Sequence, residues 1–240
     1  CKGEDAEGVI GGIDFLRKVV RNEDIDLGKN VAIVGGGNTA MDACRTAVRL
    51  GADKVYNIYR RTKDEMPADM IEIEEAEEEG VIFLNLTNPL EIISDENGHC
   101  RQMVLQVMEL GEPDASGRRA PVPVEGKTET IDVDTVILAI GQRVNAEGMN
   151  GVELTRKGGL VYDKDTYMTA LPGVFAGGDC GNDKISIAVE SIGDAKKSYL
   201  IVDAYLRGEE IKYEPNYYVT KKDVTPATFE DRERMCRPTM

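Results

Sequence analysis

Three small residues and two arginines carry the clearest chemistry in this chain of 240 residues. Gly35, Gly37 and Ala40 stand in G-x-G-x-x-G/A spacing directly after the apolar run of residues 31–34, and Arg60 and Arg61 close a second strand-like run at residues 54–59. A buried parallel strand that ends in such a turn and enters a helix is the geometry of a dinucleotide site. Gly35 permits the tight turn, Gly37 lets the backbone approach a pyrophosphate, and Ala40 lets the helix pack close to the strand. Gly36, Asn38 and Thr39 complete the turn and open the helix, where unpaired N–H groups and the positive end of the macrodipole favour an anion.

The residues after the second strand choose the dinucleotide. NAD sites place an acidic residue about 20 positions after the turn to accept the ribose 2′-OH, whereas NADP sites need a cation for the 2′-phosphate. Here Arg60 and Arg61 occupy that place. A guanidinium binds a phosphate through two parallel charge-assisted hydrogen bonds, so the expected ligand is NADPH. Two solvated arginines, partnered by Asp64 and Glu65, are the competing reading of the same residues.

Those groups need a frame. The helix of residues 39–50 keeps Ala40, Met41, Ala43, Cys44, Ala47 and Val48 on one apolar face and stops at Gly51. Residues 9–20 read as a short amphipathic helix. Residues 62–79 read as a loop and helix with Pro67 near its start, whose IEIEEAEEE run turns Ile and Ala inward and glutamates to water. Residues 81–86 extend the parallel sheet, and residues 89–94 and 101–109 read as a hairpin across the turn at 95–98. Residues 111–126, rich in Pro and Gly, read as an irregular loop in which Arg118 and Arg119 are equally anion contacts or surface charge.

Two strand-to-glycine endings follow, residues 135–140 into Gly141 and Gln142, and residues 173–176 into Gly177, Gly178 and Asp179, with a helix over residues 185–206. Ligands of open parallel sheets gather at the carboxyl ends of strands, so both turns are expected to face cofactor. Asp179 reads either as an acid for a polyol hydroxyl or as a helix-capping residue.

Composition narrows the classes. With 29 basic and 44 acidic residues the net charge is −15, which argues against nucleic acid or an anionic membrane as partner. No segment approaches the roughly 18 consecutive apolar residues of a membrane helix. The five cysteines, at 1, 44, 100, 180 and 236, include no C-x-x-C. That excludes a redox dithiol, a zinc ribbon and an iron–sulfur run within the chain, and suits a reducing cytoplasm. Cys44 reads as helix core. The one histidine, His99, lies in a turn with no acidic or nucleophilic partner in view, so no side chain reads as catalytic and none as a metal ligand. The start without Met and the tail TFEDRERMCRPTM read as the bounds of an excised piece.

Five blocks in order, GGGNTAMDACRTAVRLGADKV, YRRTKDEMPA, GEPDASGRR, VILAIGQ and GVFAGGDCGN, closely resemble the small subunit of NADPH-dependent glutamate synthases and its relatives, including the matching part of dihydropyrimidine dehydrogenase. The resemblance runs from about residue 3 to the end. It implies an α/β fold with a Rossmann-like parallel sheet and a β-meander or hairpin, forming an NADPH domain over residues 8–143. Residues 144–212 would be the C-terminal part of an FAD-binding domain and residues 213–240 an extended tail. It implies that Gly35, Gly36, Gly37, Asn38, Thr39 and Ala40 meet the NADPH pyrophosphate and that Arg60 and Arg61 meet its 2′-phosphate. Gly141 and Gln142 would lie on the cofactor side of the domain junction, and Gly178 with Asp179 at the FAD ribitol and phosphate.

In that family the fingerprint for the ADP half of FAD and the cysteines of the iron–sulfur clusters lie upstream of the residues present here. The FAD site would therefore be incomplete, the clusters would belong to other regions, and the second block would leave apolar surface uncovered. The implied activity is hydride transfer from NADPH to FAD, with electrons passed to a large catalytic subunit or another acceptor, glutamate synthase foremost, and little turnover by this portion alone. A non-catalytic NADPH-sensing module and a related oxidoreductase using ferredoxin or a pyrimidine are the alternatives. A disulfide reductase would need the C-x-x-C that is missing.

Overall fold

The computed structural model describes residues 1–113, 119–142, 144–181 and 188–210. The chain folds as two compact units, Cys1–Gly141 and a second that begins at Gln142.

In the first unit, five parallel strands lie in the order β1 (Val9–Gly11), β8 (Thr135–Leu138), β2 (Asn30–Val34), β3 (Lys54–Tyr59) and β4 (Ile82–Asn85). Alternate residues of each strand point to opposite faces, and both faces are covered. Val31 and Ile33 of β2 join Val55 and Ile137 in a core with Phe15 of helix α1 (Gly12–Val20), Met41, Cys44 and Ala47 of α2 (Asn38–Arg49), and Ile73 and Ala76 of α3 (Met70–Glu78). Ala32, Val34, Ile58 and Val136 turn the other way. They pack on Ile92, Met103 and Leu105 of an antiparallel sheet made of β5 (Thr87–Ser94), β6 (Cys100–Pro113) and β7 (Arg119–Asp132). Burial on both faces is why β2 is an unbroken apolar run rather than an alternating one. The fold is thus the expected parallel sheet with helices on one side and a meander on the other.

Four local expectations are corrected. Residues 9–11 are strand, not helix: Val9 pairs with Val136 and Ile10 with Ile137, because β8 offers an open edge that only the folded sheet reveals. Val20 of α1 is consequently 82% exposed rather than core. The described residues of the expected loop 111–126 are strand: Leu110 stands opposite Pro121 and Met108 opposite Pro123. β7 is an edge strand, where a proline's missing N–H removes no ladder bond. A register shift after Gln106 is bridged by its own amide, whose Nε2 donates to the carbonyls of Val124 and Lys127 at 2.7 and 2.9 Å. In the acidic run Ile73 and Ala76 are buried but Ile71 is 63% exposed. Its glutamates are not merely solvated either, since Arg45 meets Glu72, Glu75 and Glu79 within 2.6–2.9 Å and Arg49 shares Glu79.

The second unit is less regular. Residues 173–176 form a single bridge, Met168 to Phe175, rather than a strand, and among the described residues no further strand pairs with them. Helix α4 (Ala188–Arg207) buries Ile201 and leaves Val189, Ile192, Tyr199 and Leu206 exposed. Arg118, Arg143, the expected helix start at residues 185–187 and the tail 213–240 lie outside the described residues. None of the described helices is long and apolar enough to cross a membrane.

The entrance to β2 is held from a distance of a hundred residues. Asp134, which precedes β8, accepts hydrogen bonds from the N–H groups of Lys29 and Asn30 at 2.9 and 2.8 Å. Asp134→Ala should lower the free energy of unfolding by about 1–3 kcal/mol, read from urea denaturation with an unchanged m-value. Cys44 is fully enclosed, and burial pushes its thiol up to about 12 against a weak contact from the Asn57 amide. A thiol reagent at pH 8 should therefore label Cys44 only after unfolding, as peptide mapping of labelled protein would show.

Candidate dinucleotide site

The chain leaves β2 at the point where the sheet order divides, with β3 and β4 on one side and β8 and β1 on the other. Such a switch point opens a crevice beyond the carboxyl ends of the strands. Gly35 sits in it with φ +142°, and a Cβ there would lie 2.4 Å from the Ala139 carbonyl oxygen. Gly36 lies over the Tyr59 ring, which a Cβ would meet at 2.5 Å. Gly37 differs: nothing lies within 4 Å of its Cβ position. Ala40 is fully buried against the sheet, as the third small residue of the pattern requires. Among the described residues, the N–H groups of Gly36, Gly37, Asn38 and Thr39 have no acceptor, and no side chain caps α2. Four donors thus gather at one helix end with open space beside Gly37, an arrangement suited to a pyrophosphate.

Side chains brace this turn, among them Asn57 and Tyr59, to which the sequence pattern gave no role. Asn57, wholly buried in the middle of β3, donates from Nδ2 to the Gly35 carbonyl at 2.9 Å. The Tyr59 hydroxyl donates to the Glu65 carbonyl at 2.8 Å, and the Ala68 N–H to the Gly36 carbonyl at 3.0 Å. Asn38 turns its Oδ1 to the Asp69 N–H at 3.0 Å. Residues 62–69 therefore run as a strap beside the glycines. The strap begins with a capping box in which the Thr62 hydroxyl and N–H bind the Glu65 carboxylate, and the hydroxyl bond foremost holds that carboxyl below the usual carboxylate range. A lone amide in an apolar strand was the one available signal for Asn57. The strap's contacts left none.

The two arginines occupy different environments. Arg60 is exposed at the end of β3. Arg61 is only 5% exposed, and its Nε donates to the Arg119 carbonyl at 2.6 Å, which ties the strand end to the start of β7. Arg119 itself reaches back along the hairpin to the carbonyls of Leu110 and Gly111. His99 is exposed and lies 3.4 Å from Glu7, a surface pair away from the turn.

Gly141, exposed with φ +118°, closes the first unit, and the exposed Gln142 opens the second. Within that second unit Gly178 is buried with φ +63°, and its N–H is held by Asp194 Oδ2 at 3.0 Å. The other oxygen of Asp194 accepts the Tyr167 hydroxyl at 2.9 Å. Asp179 stands exposed next to this brace, with the Ser191 hydroxyl at 3.5 Å.

Comparison with known proteins agrees with this geometry. Residues 1–195 match the family model described as pyridine nucleotide-disulphide oxidoreductase. The chain is 43% identical over 209 residues to the NADP(+)-dependent formate dehydrogenase subunit beta of Moorella thermoacetica, covering 85% of this chain and 29% of that protein. It is 36% identical over 216 residues to the glutamate synthase [NADPH] small chain of Escherichia coli, covering 82% and 45%. It thus spans less than half of each of these two relatives. Among solved structures, Mycobacterium tuberculosis FprA in complex with NADPH aligns with a TM-score of 0.68 at 18% identity over 89% of this chain and 63% of that one, a likeness of fold. A sheet that divides at an open glycine turn, carried by a sequence matched over most of its length, places this chain in the pyridine nucleotide-disulphide oxidoreductase family.

Proposed function

We propose that the chain is the NADPH-binding part of a flavin-dependent oxidoreductase that works with a partner subunit. The observation that carries this reading is the glycine turn, with four backbone donors lacking acceptors among the described residues and open space at Gly37. In it the N–H groups of Gly36, Gly37, Asn38 and Thr39 hold the pyrophosphate and the α2 macrodipole adds to their field. Arg60, the exposed cation, takes the 2′-phosphate. Arg61, next to it, fixes the hairpin start through the Arg119 carbonyl and lends its charge to the same region. Gly141 and Gln142, which follow the carboxyl end of β8, face the bound cofactor. Gly178, with its N–H set by Asp194, and Asp179, with an exposed carboxylate, would serve the ribitol and phosphate of FAD.

Nicotinamide and flavin, when bound, supply the hydride chemistry, so this chain's own residues are needed only to bind, orient and exclude. The absence of any C-x-x-C from the sequence sets the chain apart from the dithiol-bearing plan that the family's name describes. We assign it to a cytoplasmic assembly in which iron–sulfur clusters outside this stretch carry electrons between the flavin and the partner. A glutamate synthase small subunit is one setting. The higher identity to a formate dehydrogenase subunit favours a second, in which the partner oxidises formate.

Arg60→Ala should weaken NADPH binding by about tenfold or more and leave NADH binding unchanged, the loss expected for one charged hydrogen-bonding group. Arg61→Ala should in addition lower the unfolding temperature, since it removes a buried donor from the Arg119 carbonyl. Titration calorimetry with both coenzymes checks this, and equal losses for NADPH and NADH from Arg60→Ala would refute the assignment. The 240-residue chain should bind NADPH while purifying without stoichiometric FAD; absorbance near the flavin bands that survives gel filtration would contradict an incomplete flavin site.

A further inference from the structure

We infer that Asn57 is a positioning residue of the dinucleotide site, aiming the Gly36 N–H at the pyrophosphate. The inference rests on the NADPH reading and goes beyond it to a side chain that touches no ligand. Asn57 lies between Val55 and Tyr59 on the helix-facing side of β3, a layer otherwise apolar, and is wholly buried. Its Oδ1 is enclosed without a hydrogen-bond partner. An aliphatic side chain would fill the same place and remove that orphaned oxygen, so packing between sheet and helices alone does not account for the amide. Its Nδ2 does have a task, the 2.9 Å bond to the Gly35 carbonyl. Exchange of the amide's oxygen and nitrogen would set oxygen against oxygen, so the contact itself fixes the orientation.

That bond has a directional consequence. Among the described residues every peptide bond is trans, and in a trans peptide the C=O and N–H point opposite ways. Drawing the Gly35 carbonyl inward to Asn57 turns the Gly36 N–H of the same peptide outward, where it has no acceptor among the described residues. The next peptide is set in the same manner, since the Gly36 carbonyl accepts from the Ala68 N–H and the Gly37 N–H is left pointing away from the strap. Gly35 is also anchored by its own N–H to the Ile58 carbonyl at 3.1 Å. Its φ of +142° lies where glycine is freest, so without the Asn57 bond the Gly35–Gly36 peptide is the plane in the turn most able to flip. Asn57 removes that freedom before ligand arrives, which favours binding through preorganisation.

The test uses two ligands that separate the pyrophosphate from the rest of the coenzyme. NADP⁺ carries it, and adenosine 2′-monophosphate presents the adenosine and 2′-phosphate without it. For Asn57→Leu in the 240-residue chain, calorimetry should show NADP⁺ affinity lowered about tenfold, the scale of one hydrogen bond, with 2′-monophosphate affinity unchanged. Asn57→Val, smaller and suited to a buried strand, gives the same reading where leucine overfills the site. Unaltered NADP⁺ affinity in a folded variant overturns the inference, and so does a parallel loss for both ligands with a fall in unfolding temperature, the mark of a purely structural role. Failure of the unaltered chain to bind NADP⁺ overturns the NADPH reading itself, and the inference with it.

Discussion

The structure depends on how closely a backbone can pass another backbone at the end of β2. Gly35 runs beside the Ala139 carbonyl with no room for a side chain, and Gly36 runs over the Tyr59 ring with none either. That approach brings the carboxyl ends of β2 and β8 together, buries Ala40 against the sheet and points the first amides of α2 into the crevice. It is paid for in polar burial: a side-chain amide whose oxygen lacks a partner lies in the core, at about 1–3 kcal/mol. The opposing gain is a turn whose peptide planes are set in advance by β3 on one side and by residues 62–69 on the other.

Much of this was legible in the residues because the signals are local. A run with both faces buried, a G-x-G-x-x-A turn and a 3.6-residue period each need fewer than twenty positions to show themselves, and β2, α2 and β3 followed from them. The failures share another cause, in that each was settled by residues far away. Val9, Ile10 and Gly11 are strand because β8 lies beside them after an excursion of more than a hundred residues. Pro121 and Pro123 are tolerated in a strand because β7 is an edge. Arg60 and Arg61 look alike in sequence, and only the arrival of Arg119 gives one of them a buried partner. Residues 173–176 had the composition of a strand and are paired at Phe175, to Met168, rather than along a ladder.

The two units also differ in how they hold a glycine ending. In the first, the turn is braced by neutral amides and carbonyls and keeps its outward donors unengaged. In the second, a carboxylate, Asp194, takes both the Gly178 N–H and the Tyr167 hydroxyl. The two glycine-rich bends thus present different groups, N–H donors in the first and an exposed carboxylate in the second.

The clamp between α2 and α3 bears on this in a different way. Arg45 and Arg49 lie toward the carboxyl end of α2, and Glu72, Glu75 and Glu79 neutralise them at contact distance. At that end the three carboxylates outnumber the two guanidinium groups, while at the opposite end of α2 the first N–H groups have no acceptor among the described residues. In a chain of net charge −15, the positive end of α2 is thus made by backbone dipoles rather than by a cluster of cations. A pole made of peptide dipoles keeps its sign at any pH and fades within about one helical turn, unlike one made of titrating side chains.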